Sequence, residues 1–484
     1  MNFQIIKRML GWILIFEACF FLVPIITALI YGEEQVKYFL LCLGICLTLG
    51  VLLVVGKLKS NAIYAKEGFI IVSLSWIVMS LFGALPFWIS DSIPSYIDAL
   101  FETVSGFTTT GATIFSSGQA IESLPRCMLM WRSFTHWVGG MGVLVFILAF
   151  LPLAGGRNIN LMRAESPGPT VSKLVPKVRS TAGILYLIYG ALTVIEFIML
   201  VFDMPVFDAL TTAFATAGTG GFAIKGDSFA SYSTYSQVTV TVFMILFSVN
   251  FASYYLILCG KVKEALNTEV RVFFVIVFSA IALITLNLCF TDSSSYDYTV
   301  GEAIKHSAFS VASVVSTTGF ATANFDLWPA FSKCLLVLLM FIGACAGSTG
   351  GGFKVSRVVV LSKGMTHEMK RMLRPKQIKK ITMDGKIVEH EVVRSISWYL
   401  IAYLAIYIAS LLLVSFDCQD MTTNFTAVMA TFNNIGPGLG AVGPEGNFAF
   451  YSAFSKIVFI FNMLAGRLEI FPMLLLFAPS TWRK

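Results

Sequence analysis

Charge is scarce in this chain: only 13% of its 484 residues are charged, against roughly 25% in ordinary soluble domains. So thin a supply excludes a solvated globular surface. Histidine is scarcer still, with four residues scattered along the chain in no ligand spacing. The nine cysteines are odd in number and lie mostly inside apolar runs, where a thiol packs as a small apolar group rather than as a disulfide or metal ligand. No stretch is long or polar enough for a separate soluble domain. There is no ATP-hydrolysis motif and no Rossmann fingerprint, and no nucleophile, metal cluster or acid–base pair converges. The chain reads as no enzyme and as carrying no covalent cofactor. Its net charge of +7 does not point to nucleic acid, because the charges sort by side of a membrane.

What is abundant is apolar sequence, 57% of residues. Runs near 10–31, 36–56, 69–90, 129–154, 181–202, 235–260, 271–290, 330–361, 395–416 and 448–479 are long enough to span a hydrocarbon core of about 30 Å as helices. The first follows Lys7 and Arg8, contains Glu17 and lacks a cleavage pattern, so it reads as a retained helix rather than a signal peptide. Four less apolar segments, beginning near Asp98, Asp208, Glu302 and Thr422, precede the fourth, sixth, eighth and tenth runs. The predicted fold is an all-α polytopic membrane protein. It has four pseudo-fourfold repeats of outer helix, pore helix, filter loop and inner helix, plus an N-terminal transmembrane hairpin. The divisions are 1–66 for the hairpin, 67–155, 156–262 and 263–361 for three repeats, 362–394 for a basic cytoplasmic loop and 395–484 for the fourth repeat. With the N-terminus inside, 26 of the 34 basic residues fall in cytoplasmic segments, Lys354 to Arg394 holding eleven. Both termini are then cytoplasmic. Acidic residues, among them Asp98, Glu102, Asp203, Asp292, Glu302, Asp417, Asp420 and Glu445, fall outside; they read as solvated loops or as a vestibule that gathers cations.

Each of the four segments runs into a Gly/Thr stretch: Ser105-Gly-Phe-Thr-Thr-Thr-Gly-Ala-Thr113, Thr216-Ala-Gly-Thr-Gly-Gly-Phe-Ala-Ile224, Val315-Ser-Thr-Thr-Gly-Phe-Ala-Thr322 and Phe432-Asn-Asn-Ile-Gly-Pro-Gly-Leu439. Aligned on Gly111, Gly221, Gly319 and Gly436, they recur after 110, 98 and 117 residues. A cation crossing a membrane must exchange its water for oxygens, and backbone carbonyls supply them. Glycine lets the chain aim successive carbonyls inward. The candidate ion ligands are Thr109, Thr110 and Gly111; Thr219, Gly220 and Gly221; Thr317, Thr318 and Gly319; and Asn434, Ile435 and Gly436. Asn434 and Ile435 break the threonine pattern, so hydroxyls cannot complete a fourfold ring. Small residues that only pack helices are the plain alternative, and four copies in register argue against it.

Two features lie near these stretches. Gly343-Ala-Cys-Ala-Gly-Ser-Thr-Gly-Gly-Gly-Phe353 interrupts the eighth run, and so much glycine, each costing about 1 kcal/mol against alanine, breaks a helix. Gly347, Ser348, Thr349, Gly350, Gly351 and Gly352 are the candidate gate, with helix packing as the alternative. Arg467 sits in the otherwise apolar tenth run two residues before Glu469. It reads either as half of a structural ion pair or as a charge facing the pathway.

Thr108-Thr-Thr-Gly-Ala-Thr113, His136-Trp-Val-Gly-Gly-Met-Gly142, the Gly-Phe pairs of the second and third stretches, and Gly436-Pro-Gly438 resemble the membrane subunit of Trk-type potassium uptake systems. The resemblance, to the superfamily of Trk, Ktr and plant HKT transporters, covers essentially the whole chain, and the N-terminal hairpin favours the Trk branch. It implies K+ as the transported ion, since a serine at the first filter glycine accompanies sodium preference and Gly111 is glycine. It also implies a gating role for the Gly-rich segment and an electrostatic barrier at Arg467. Further implications are a homodimer in the lipid of the bacterial cytoplasmic (inner) membrane and a cytoplasmic nucleotide-binding regulatory subunit (TrkA-like) through which alone nucleotide acts. The basic stretch 362–394 reads as a positive-inside loop or as that partner's dock. Flow is either channel-like or coupled to protons or sodium by alternating access, for which the intramembrane carboxylates are Glu17, Glu196 and Glu469.

Overall fold

The structure is a computed structural model, and it describes residues 2–55, 65–115, 118–142, 178–291, 297–374 and 380–482. The readings placed on Lys57, Lys59, 143–177, Asp292, 375–379, Arg483 and Lys484 lie outside the described residues. The principal helices are α1 (Phe3–Phe20), α2 (Leu22–Tyr31), α3 (Val36–Val54), α4 (Ala65–Gly83), α5 (Tyr96–Phe107), α6 (Arg126–Met141), α7 (Val178–Val201), α8 (Val206–Gly218) and α9 (Thr234–Ser248). They continue with α10 (Phe251–Leu258), α11 (Thr268–Phe290), α12 (Val300–Val315), α13 (Ala330–Ile342), α14 (Val355–Leu373), α15 (His390–Val414), α16 (Met421–Phe432), α17 (Ala453–Arg467) and α18 (Phe471–Phe477). A two-stranded hairpin, β1 (Thr382–Met383) and β2 (Lys386–Ile387), lies between α14 and α15.

Among the described residues six helical segments are long and apolar enough to cross a membrane: Phe3–Tyr31, Val36–Val54, Lys66–Ile89, Gly183–Val201, Thr268–Phe290 and His390–Asp417. They are the two N-terminal helices and the first helix of each later set. Three of the helices that follow the Gly/Thr stretches are instead short or broken. α9 and α10 meet at 91°; α13 gives way to an irregular loop, 343–354; and α17 stops where Glu469 and Ile470 take φ of 55° and 67°. Two expected boundaries move accordingly. The tenth run is not one helix, and α14 passes through the expected division at 361/362 to end at Leu373.

Three of the four short helices, α5, α12 and α16, begin with side-chain caps. Ser95 accepts from the Asp98 amide, Thr299 and Glu302 form a capping box, and Asp420 accepts from the Thr423 amide; each satisfies donors that a helix start leaves open. α8 starts after Pro205, whose fixed φ suits that position. Each short helix packs on the third helix of a neighbouring set: α8 on α6, α12 on α9, α16 on α13, and α5 on α17. The last contact closes a circle. The N-terminal pair sits outside it, α1 crossing α3 where Gly11 and Gly50 bring the backbones together, since a Cβ on Gly11 would lie 2.8 Å from the Gly50 carbonyl oxygen. Glu33, at the tip of that pair, accepts from the Arg126 and Cys127 amides at 2.6 and 2.9 Å and so caps α6.

Candidate ion pathway

The four short helices end in the same way. The amide just before each aligned glycine reaches the carbonyl five residues back: Thr110 to Ser105 at 2.8 Å, Gly220 to Ala215 at 2.9 Å, Thr318 to Ser313 at 2.8 Å and Ile435 to Ala430 at 2.9 Å. This closure requires a left-handed residue inside the turn. Thr109, Thr219, Thr317 and Asn434 fill it, with φ of 55°, 56°, 60° and 56°, and the glycines two residues on are left-handed again at 78°, 77°, 88° and 97°. Asparagine tolerates that region, whereas a β-branched threonine is out of place there and costs about 1–2 kcal/mol. Three strained threonines persist because the surrounding fold determines their backbone.

The glycines touch in cyclic order. A Cβ on Gly111 would stand 2.0 Å from the Gly220 carbonyl oxygen, on Gly221 2.0 Å from that of Thr318, on Gly319 2.0 Å from that of Ile435, and on Gly436 2.8 Å from that of Thr110. The twelve residues singled out from the sequence are therefore brought together in one ring. All four glycines line a single cavity of about 100 Å³, whose wall also includes Thr113, Arg132, Phe222, Lys225, Pro437 and Glu445. Several hydroxyls of these loops are engaged locally. Those of Thr108 and Thr110 lie 2.8 Å apart, those of Ser316 and Thr318 2.6 Å apart, and Thr219 donates to the Gly218 carbonyl at 2.6 Å. Asn434 donates from Nδ2 to Thr110 Oγ1 and to the Met463 carbonyl at 3.0 and 2.9 Å, while its Oδ1 is buried without a hydrogen-bond partner.

Behind the ring, on the side away from the cavity, lies the loop 343–354. Gly350 and Gly351 press against the Ser316 and Asn433 carbonyls, where added Cβ atoms would stand at 2.8 and 2.4 Å. The Gly351 amide donates to Thr317 Oγ1 at 2.6 Å, and Thr349 Oγ1 donates to the Phe247 carbonyl at 3.1 Å. Gly347 accepts from the Phe251 amide at 3.0 Å, at the bend between α9 and α10. Arg467 reaches the same place from α17, donating to the Thr349 carbonyl at 2.8 Å and to the Gly139 and Gly140 carbonyls at 2.5 and 2.6 Å. It thereby joins the loop to the end of α6. The ion pair with Glu469 that the sequence offered as an alternative is absent from the described pairs, because Glu469 pairs with Arg357 instead.

Several supporting residues escaped sequence reading. Lys354 and Arg357, counted there as cytoplasmic charge, are buried. Lys354 donates to the Gly350 carbonyl, and Arg357 lies over the Tyr399 ring at 4.0 Å. Glu102 and Arg132 form a fully buried pair at 2.7 Å beside the ring. Glu102 also accepts from Thr113 Oγ1 and the Ile114 amide at 3.1 and 3.0 Å, and Arg132 donates to the Ala223 carbonyl at 3.2 Å. His136 Nδ1 sits 2.7 Å from the Gly106 carbonyl oxygen while Nε2 accepts from the Phe222 amide at 3.2 Å, so the ring is neutral with its proton on Nδ1. Several of the outer acids have local partners. Asp98 pairs with Lys456 at 2.6 Å, Asp417 accepts from the Ser452 amide at 2.8 Å, and Glu302 and Asp420 cap helices.

Long apolar helices around four short ones, whose loops meet backbone to backbone, define a multi-pass membrane protein with a central ring of carbonyl groups. Among such proteins the chain belongs to the TrkH family, whose model, described as a cation transport protein, matches residues 37–484. The Trk system potassium uptake protein TrkH of Escherichia coli K12 is 36% identical over the full length of both chains. That of Vibrio parahaemolyticus is 34% identical, again over both full lengths. The crystal structure of the potassium transporter TrkH from Vibrio parahaemolyticus matches with a TM-score of 0.89 and 32% identity, covering all of both chains.

Proposed function

We propose that this chain takes up potassium ions through a pore running down the centre of the four glycine loops. The observation that carries the reading is the closed circle in which Gly111, Gly221, Gly319 and Gly436 each abut the carbonyl before the next glycine. The peptide carbonyls of Thr109, Thr110 and Gly111 and of their counterparts replace the ion's hydration shell. The four short helices lend the partial negative charge of their C-terminal ends. Selectivity rests mainly on backbone oxygens, and rubidium passes as well.

Gly347 to Gly352 form the gate. In the arrangement seen, the loop sits across the inner end of the ring, held by Arg467, whose charge also repels an arriving cation. The pore is set in the cytoplasmic membrane with both termini inside, in a homodimer served by a cytoplasmic nucleotide-binding subunit; names of the relatives as parts of a Trk system support a partner. One observation favours coupled transport as a second reading: Glu17 is fully buried in a membrane helix with neither carboxyl oxygen hydrogen-bonded, the state expected of a carboxyl that carries a proton. Single-channel recording separates the two, since alternating access gives no unitary current.

The experiment that tests the main reading is rubidium or potassium flux into liposomes with sodium as competitor, comparing the native chain with Gly111→Ser. Potassium-selective flux that Gly111→Ser converts to sodium-permeable or abolishes supports the ring; flux with unaltered selectivity removes it.

A further inference from the structure

The loop behind the ring is held by a residue that belongs neither to it nor to the helices on either side. Glu269 is the second residue of α11, 5% exposed. Its Oε1 accepts from the Ala346 amide at 2.7 Å and from the Ser356 amide at 3.1 Å. One oxygen thus ties together the front of the loop and the first turn of α14 beyond it, ten residues apart in sequence. Glu269 is in none of the described ion pairs. Its charge is met instead by backbone amides and by the start of a helix, where a carboxylate is favoured.

The residue before it leads outward. The Thr268 amide and Oγ1 both donate to Asp384 Oδ1 at 2.7 Å. Asp384 and Gly385 form the two-residue turn between β1 and β2, with φ of 50° and 75°, the pattern of a type I′ hairpin. The same hairpin touches α14, where Lys363 donates to the Thr382 carbonyl at 2.9 Å. The exposed hairpin, the start of α11 and both ends of the loop are therefore joined by consecutive hydrogen bonds.

We propose that Glu269 is a positioning residue that latches the loop 343–354 across the ring, and that the exposed turn at Asp384 is the handle through which the latch is released. The proposal rests on the reading of that loop as a gate. Displacing the hairpin rotates or withdraws the start of α11, and Glu269 then loses the two amides. Because one oxygen serves both, the loop's two ends are freed together, which makes the release a single event rather than gradual loosening.

The test is planar-bilayer recording of the purified full-length chain in potassium, with melting temperature measured alongside. Glu269→Ala is expected to raise open probability roughly tenfold or more, the scale of one charge-assisted hydrogen bond acting on a two-state equilibrium, with unitary conductance unchanged. Glu269→Gln keeps the accepting oxygen and drops the charge, so it falls between. Asp384→Ala, at an exposed site, moves open probability in the same direction by less, and combining it with Glu269→Ala adds nothing further. Native open probability in folded Glu269→Ala overturns the latch; if that variant does not fold, native open probability in both Glu269→Gln and Asp384→Ala overturns it. An effect of Glu269→Ala without any effect of Asp384→Ala overturns the handle. Arg467→Ala keeps the two readings apart: if it alters current while the Glu269 variants do not, the latch fails, and if none of them alters current, the gate itself fails.

Discussion

The two faces of the glycine ring are built by opposite rules. On the cavity side four different sequences converge on one backbone geometry: the same closure of the short helix, the same left-handed residue, the same glycine against the next loop's carbonyl. On the other side, among the described residues, no such repetition is seen. The loop 343–354 lies there, and it is held by side chains from three different places in the chain: Arg467, Glu269 and Lys354. Under the proposed function, coordination of a bare ion is an equal task for all four loops and favours equality among them. Control of passage needs an element with two states, and one loop held by a few charge-assisted bonds is easier to move than four.

The largest expected effect tests the equality of the cavity side. Gly111→Ser drives a side chain into the Gly220 carbonyl, 2.0 Å away, and should abolish discrimination between potassium and sodium in liposome flux. Gly436→Ser also meets a backbone carbonyl, but at 2.8 Å, so the ring must shift less than at Gly111 and the variant should keep more of its preference for potassium than Gly111→Ser does. Equal losses at both positions would mean that the small departure from fourfold geometry at Gly436 has no consequence. Next in size is Arg467→Ala, which removes three hydrogen bonds to the loop and α6 along with a positive charge. Potassium flux should rise by at least about tenfold, since even one hydrogen bond to a charged group is worth ~1.5–3 kcal/mol; unchanged flux in a folded protein would leave the loop without its proposed restraint. Smaller again in flux, though large in stability, is Arg132→Met. It leaves Glu102 buried without its partner, a loss of about 3–5 kcal/mol, readable as a lower melting temperature in detergent. Replacing both, Glu102→Leu with Arg132→Met, should recover much of that stability, and selectivity that stays impaired would identify the pair as a brace for the ring.

How much of this could be read from the chain follows the same divide. The four stretches announce themselves because backbone function leaves a residue-type signature, glycine at a fixed offset after a short helix. The six long apolar segments are equally plain, since length and hydropathy suffice. Arg467 and the glycine-rich loop were visible as anomalies in apolar surroundings. Glu269, Lys354 and Arg357 were not, because each stands near an apparent membrane boundary, where charge is ordinary and only packing reveals burial. The break at Glu469 and Ile470 was hidden for a related reason: neither is a residue type that marks a left-handed bend. In the sequence Asn434 stands out as an irregularity of side chains, whereas its backbone follows the other three loops, and asparagine is the residue of the four best suited to that φ.

The smallest expected effect lies at the outer caps, and its sign follows from which protonation state they favour. Hydrogen bonds from the Thr423 side chain and amide hold the Asp420 carboxyl below its ordinary range, and those from the Thr299 amide and hydroxyl do the same for Glu302. A carboxyl whose pKa is lower in the folded chain binds its proton less readily there than when unfolded, so it contributes stability at pH values above its unfolded pKa and loses that contribution as pH falls through the folded value. Both groups lie near solvent, which keeps the contribution small. Melting temperature in detergent should thus be flat from pH 7 to about 5 and decline below about 4, the range in which free Asp and Glu titrate. In Asp420→Asn, which keeps a capping oxygen but cannot titrate, the decline should be shallower. Since α16 points its other end at Asn434 and Gly436, acid should loosen the fourth loop before the second, whose short helix starts at Pro205 without a carboxylate cap. Loss of potassium selectivity at low pH in the native chain that Asp420→Asn delays would tie the cap to the ring. An identical acid profile in the two proteins would confine the cap to the stability of its own helix.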